Sequence, residues 1–157
     1  MKAVQMTAVG SPEVLVPADV DEPAISSPTQ LKVKLKAAGV NPIDTKLRSR
    51  GVFYPDALPA VLGCDGAGIV TAVGTAVTRF HPGDAVWFCN GGLGGAQGNY
   101  AEFTVVEEAV ARPKPAGLDF AEAAAMPLVL ITAWEALFDR ARLQPGQSVL
   151  IHAGAGG

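Results

Sequence analysis

Residues 148–157, SVLIHAGAGG, join an apolar run to a glycine turn of the kind that admits a phosphate. Ser148 to Ile151 reads as a buried strand. Gly154 and Gly156 stand at the first two places of a G-x-G-x-x-G spacing, Gly157 follows, and the third glycine would fall past the last residue. Such a loop needs glycine for two reasons. The backbone must turn tightly, and a pyrophosphate must approach the amides that open the next helix. A flexible tail after an edge strand is the competing reading. The apolar strand ahead of the loop favours nucleotide binding.

The other reactive side chains are sparse. Cys64 and Cys89 are the only two cysteines. They form no CxxC pair, and with His81 they match no zinc spacing. A free cysteine is usually a small packed hydrophobe, and no histidine stands next to Cys64 in sequence to activate it. The 157 residues are 49% hydrophobic and 17% charged, enough apolar material for a globular core. A formal charge of -3 argues against nucleic acid and anionic membranes as partners. The start, MKAVQMTAVG, lacks the apolar core of a signal peptide. AAAMPLVLITAWEALF contains Pro127 and Glu135 and is short for a membrane span. A reduced, cytoplasmic setting is expected.

These groups must be positioned mainly by β structure. KAVQMTAV reads as a first strand. In LKVKLKAAGV, Leu31, Val33, Leu35 and Ala37 alternate with Lys32, Lys34 and Lys36, which predicts one packed and one solvated face. GAGIVTAVGTAV predicts a strand, a turn and a return; DAVWFC and NYAEFTVV predict two more strands. Between these last two, NGGLGGAQGN reads as a flexible loop. Short strands with glycine turns suggest a barrel or sandwich. Near residue 117 the pattern changes. Asp119 with Glu122 predicts a helix N-terminus, Pro127 interrupts it, and LITAWEALFDRARL predicts a second helix. QPGQ then turns into the strand at Ser148. Helix, turn, strand and glycine loop together resemble the entrance of an α/β nucleotide-binding fold.

AAGVNPIDTKLRSR, LPAVLGCDGAGIVTAVG, GDAVW, YAEFTVV, AEAAAMPLVLITAWEAL and GQSVLIHAGAGG, in this order, resemble the medium-chain dehydrogenase/reductase superfamily, and within it the zinc-free quinone oxidoreductase (zeta-crystallin-like) branch. The resemblance covers essentially the whole chain. It implies a GroES-like irregular β-barrel carrying much of the catalytic cleft over residues 1–127. Residues 128–157 would supply the first helix, strand and glycine loop of a truncated Rossmann domain. The chain is then expected to be the N-terminal portion of a longer enzyme and inactive alone.

The same resemblance bears on zinc. Where zinc-dependent members place three ligands, this sequence has Asn41 in GVNPID, Cys64 in GCD, and Leu128, so no zinc is expected. The implied cofactor is NADPH, or NADH, and the implied substrate a quinone or an α,β-unsaturated carbonyl, whose product needs no Lewis acid. Asn41 has a donor and an acceptor to offer the nicotinamide or a substrate oxygen; its plainer role is a turn before Pro42. Asp44 is read as orienting a polar group or relaying a proton, or as capping a helix that starts around Thr45. Tyr54 is a donor to a substrate oxygen or a packed aromatic. Thr132 resembles the threonine that approaches the nicotinamide; otherwise it bonds back to its own helix. Trp87 and Trp134 are expected in the core. The catalytic candidates are thus Asn41, Asp44 and Tyr54, and the cofactor candidates Asn41, Thr132, Gly154, Gly156 and Gly157. A homodimer is possible for the whole protein. Two rival readings stand: a zinc alcohol dehydrogenase with an atypical site, and a GroES-like binding module without turnover.

Overall fold

The structure, a computed structural model, describes residues 1–154. It is mainly β with a few short helices. The strands are β1 (Lys2–Met6), β2 (Leu15–Asp19), β3 (Gln30–Ala38), β4 (Ala60–Val61), β5 (Asp65–Val73), β6 (Ala85–Cys89), β7 (Phe103–Glu107) and β8 (Arg112–Pro113). The α-helices are α1 (Pro42–Arg50), α2 (Phe120–Ala124) and α3 (Pro127–Trp134). The expected barrel takes an open form. One three-stranded sheet runs β2-β1-β4 and one five-stranded sheet runs β7-β3-β5-β6-β8, with every pairing antiparallel. The chain just ahead of β7 stitches the two sheets together. Val4 N–H donates to the Tyr100 carbonyl at 2.8 Å, and Glu102 N–H to the Lys2 carbonyl at 3.0 Å.

The alternating strand behaves as its pattern predicts. Leu31 and Val33 of β3 are fully buried, whereas Lys34 and Lys36 are exposed. Lys32 is half-buried; its ammonium pairs with Glu22 at 2.7 Å and lies 5.6 Å from the Phe103 ring. Leu31, Val33, Val70, Val86 and Val106 pack with Phe80 and Phe88 into the main core. Each such side chain contributes about 1.5–3 kcal/mol on burial. A second cluster joins Met6, Leu47, Val52 and Leu62, and a third sets Ala123 and Ala124 of α2 on Ala67 of β5. Gly39 leaves room for that helix, since an added Cβ there would run into the Ala124 carbonyl oxygen.

The helix signals near residue 119 are realised. Glu122 N–H donates to Asp119 Oδ1 at 2.8 Å and Asp119 N–H to Glu122 Oε2 at 2.9 Å, a reciprocal capping box. The helix expected over LITAWEALFDRARL begins earlier, at Pro127, where a missing N–H costs nothing. After Trp134 it widens into a π-type segment, Glu135–Arg140. Trp134 is exposed rather than in the core, its ring tilted 46° against that of Phe138 with centroids 4.6 Å apart.

Two expectations are corrected. NGGLGGAQGN is a clamped loop, not a flexible one. Asn99, 1% exposed, directs its amide nitrogen at the carbonyls of Gly63, Cys64 and Asn90. Gly92 (φ +75°) lies so close to Gly63 that a Cβ would fall 2.5 Å from its backbone. Ser148–Ile151 forms no strand. Among the described residues no neighbouring strand pairs with it, and Val149, Leu150 and Ile151 are 50%, 80% and 60% exposed. A lone extended segment has no ladder to satisfy its amides. No helix among the described residues is long and apolar enough to cross a membrane.

Candidate functional site

The polar candidates converge where α1, β5 and α3 begin. Pro42 opens α1, so Asn41 is its N-cap residue and Asp44 lies inside the first turn, not ahead of a helix at Thr45. Asn41 N–H donates to Asp44 Oδ2 at 2.7 Å, closing that turn. The Asn41 side chain completes a capping-box arrangement over the Asp44 N–H, and its Nδ2 donates to Asp65 Oδ2 at 2.9 Å.

Asp65, the first residue of β5, is 0% exposed. Its second oxygen, Oδ1, accepts the Leu128 N–H at 3.0 Å. That amide lies in the first turn of α3, where intrahelical partners are missing. The Leu128 carbonyl accepts Thr132 Oγ1 at 2.8 Å, one turn further on. Thus Thr132 does bond back to its own helix, and one chain of hydrogen bonds runs from Asn41 through Asp65 and Leu128 to Thr132. Tyr100 O–H donates to the same Asp44 Oδ2 at 2.9 Å. Asp44 Oδ1 is buried without a partner among the described residues.

Two carboxylates in one buried cluster raise each other's neighbours. Burial pushes the Asp65 carboxyl above its ordinary value, and Asp44 adds to the rise; bonds from Asn41, the Cys89 thiol and the Leu128 amide act the other way. Burial, then Asp44 and Asp65, push the Cys64 thiol up to about 11. Burial, then Asp65, push Cys89 up to about 12. Burial and the bond to Asp44 hold the Tyr100 phenol well above its usual range. Among the described residues, no three or more His, Cys, Asp or Glu side chains are grouped so as to hold a metal ion.

The remaining candidates lie apart. Tyr54 is 59% exposed and lies against Gly95, whose added Cβ would meet its ring at 2.9 Å. With Phe53, Asp56 and Ala57 these residues line an open depression. An apolar groove of about 250 Å³ opens between β6 and α3, bounded by Trp87, Cys89, Pro127, Leu130, Ile131 and Trp134. It meets the polar cluster at Cys89. Gly154 follows the exposed segment 148–151; Gly156 and Gly157 lie outside the described residues.

Sequence reasoning missed Asp65, Tyr100 and Cys89 as members of the site. For Asp65 a signal existed: a lone carboxylate in the apolar run LPAVLGCDGAGIV, of which residues 60–68 are all buried. Tyr100 carries no such mark, since its partner is remote in sequence.

The chain is similar in sequence and fold to known proteins. The family model for the alcohol dehydrogenase GroES-like domain matches residues 27–116. A quinone oxidoreductase of Rattus norvegicus is 41% identical over 100% of this chain, which spans 46% of that protein. A 2-methylene-furan-3-one reductase of Solanum lycopersicum is also 41% identical, with 100% of this chain and 42% of that protein covered. The quinone oxidoreductase structure from Coxiella burnetii superposes with a TM-score of 0.88 at 35% identity, over 100% of this chain and 50% of that one. The Escherichia coli quinone oxidoreductase, solved with NADPH, gives 0.77 at 34%, over 87% and 40%. The chain therefore spans less than half the length of these curated relatives. It belongs to the alcohol dehydrogenase GroES-like domain family, within the medium-chain dehydrogenase/reductase superfamily.

Proposed function

We propose that this chain is the N-terminal part of an NAD(P)H-dependent oxidoreductase that delivers hydride to a quinone or an α,β-unsaturated carbonyl without zinc. The Asp65 bridge carries the reading. Its two oxygens are taken by the Asn41 side-chain amide and the Leu128 backbone amide, residues at two of the three positions where the family resemblance implies zinc ligands in zinc-dependent members. The third is Cys64. An asparagine amide, an aliphatic side chain and a single thiol do not make the three-ligand Cys/His set that a catalytic zinc takes. Relatives that are quinone oxidoreductases and a furanone reductase support the substrate class, and an NADPH-bound neighbour supports the cofactor. We assign residues 1–127 to the catalytic domain and 128–157 to the start of the nucleotide domain, and expect this portion alone to be inactive.

When bound, the reduced nicotinamide supplies the hydride. The chain's own residues orient and enclose it. With Nδ2 committed to Asp65, Asn41 offers Oδ1 as the acceptor end of its amide. Thr132 presents its hydroxyl from the same hydrogen-bonded chain. The groove between β6 and α3 supplies apolar walls that exclude water. Tyr54, exposed beside the Gly95 loop, or water, returns the proton to the reduced substrate.

The test uses the natural full-length polypeptide containing this chain, treated with a chelator and assayed for metal. Quinone- or enone-dependent NADPH oxidation that survives chelation is the expected result. Stoichiometric zinc with activity lost on chelation would replace the reading by an atypical alcohol dehydrogenase. A folded protein that binds neither NADPH nor NADH would leave a binding module.

A further inference from the structure

We propose that Asp65 is a positioning residue: one buried carboxylate sets the amide orientation of Asn41 and, through the first turn of α3, the placement of Thr132. This rests on the reading of Asn41 and Thr132 as groups that hold the nicotinamide. Four observations combine. Asp65 has no solvent exposure, so water cannot replace its partners. Its oxygens are divided, Oδ2 to Asn41 Nδ2 at 2.9 Å and Oδ1 to the Leu128 N–H at 3.0 Å. α3 has no other side-chain cap, since Met126 at its N-cap makes none. Thr132 is tied to Leu128, the residue that Asp65 holds, at 2.8 Å.

The physics is one of donor and acceptor sense. A carboxylate can only accept, so the Asn41 amide must face it with nitrogen, which turns the oxygen, with its two lone pairs, to the other side. An asparagine in place of Asp65 has one acceptor and one donor. It satisfies either Asn41 or Leu128 in the present sense and opposes the other. Asn41 sits on α1 and Thr132 on α3, elements that are otherwise held by separate packing. The shared carboxylate is what gives them a common reference, and hydride transfer depends steeply on such alignment.

The experiment compares the full-length protein with Asp65→Asn and with the double variant Asn41→Asp/Asp65→Asn. Three readouts are taken: kcat and KM for NADPH, the isotope effect on kcat with nicotinamide-4-deuterated NADPH, and hydrogen exchange of the segment 127–134. Asp65→Asn is expected to lower kcat by about tenfold or more, with KM much less affected, a larger isotope effect, and faster exchange in 127–134. A variant that was merely less folded would lose kcat with the isotope effect unchanged. The double variant keeps the net charge and the side-chain shapes and restores a donor–acceptor pair, in the reverse sense. It is expected to recover thermal stability and not kcat, which keeps the test decisive where Asp65→Asn does not fold. Wild-type kcat and isotope effect in either variant would overturn the inference while leaving the functional reading intact. A folded wild type with neither NADPH- nor NADH-dependent reduction would end the reading and this inference together.

Discussion

Nδ2 of Asn41 lies 2.9 Å from Oδ2 of Asp65, joining the N-cap of α1 to the first residue of β5. The two residues are 24 positions apart in sequence and both are buried. Replacing Asn41 by alanine removes the oxygen that the proposed function assigns to ligand binding and strips Asp65 of one partner. The expected outcome is a loss of kcat of about tenfold or more in the full-length enzyme. Stability should fall as well, by about 1–3 kcal/mol, because a buried acceptor is left unmet. Steady-state kinetics and urea denaturation measure the two effects separately; unchanged kinetics would remove Asn41 from the mechanism.

The raised Asp65 carboxyl has a defined pH signature. Its folded-state value lies above the ordinary 3.8, so the fold favours the protonated form. Between those two values the native state binds more protons than the unfolded chain. The group's contribution to stability is therefore present at low pH and declines as pH rises from near 3.8 through the folded value, then levels off. The stability advantage of the wild type over Asp65→Asn should shrink with rising pH in that window. Denaturation midpoints across the acid range would decide it, and an advantage that grows with pH would contradict the assignment.

Both cysteines should be slow to alkylate in the folded protein. The rise of Cys64 from 9.0 to about 11 removes roughly a hundredfold of its reactive thiolate, and Cys89 is pushed further, to about 12. Iodoacetamide at neutral pH is expected to label them only on unfolding. Rapid labelling of the native protein at Cys64 would show that burial, with the added effect of Asp44 and Asp65, does not hold its thiol protonated.

Tyr54 and Gly95 allow the phenol's chemistry to be separated from its placement. Tyr54→Phe removes only the hydroxyl, whereas Gly95→Ala puts a methyl 2.9 Å from the unmoved ring and forces it aside. Both sites are at the surface, so each change should cost under about 1 kcal/mol in stability. If the hydroxyl returns the proton, both variants lower kcat, and Tyr54→Phe also alters the solvent isotope effect. Normal turnover in both would assign proton return to water.

Some of this architecture was legible from local sequence, because its cause is local. Strict alternation in LKVKLKAAGV predicts a strand with one packed face, and β3 buries Leu31 and Val33 while exposing Lys34 and Lys36. Asp119 with Glu122 predicts a capped helix start, since the bonds span only three residues. The ordered motifs that resemble medium-chain dehydrogenases/reductases led to the family that the whole-domain match supports.

What the sequence could not reveal depends on partners remote along the chain. The glycines of NGGLGGAQGN read as freedom, but in the fold they permit close backbone contact with Gly63, and Asn99 locks the loop. Ser148–Ile151 has the composition of a strand and no neighbour among the described residues to make it one. Asn41 and Thr132 could be picked out singly from their motifs. That one carboxylate bonds Asn41 directly and reaches Thr132 through Leu128 was decided by tertiary structure alone, when β5 carried Asp65 between the first turns of α1 and α3. Composition and periodicity report what each residue prefers, whereas a hydrogen bond across 24 or 63 positions exists only once the chain has folded around it.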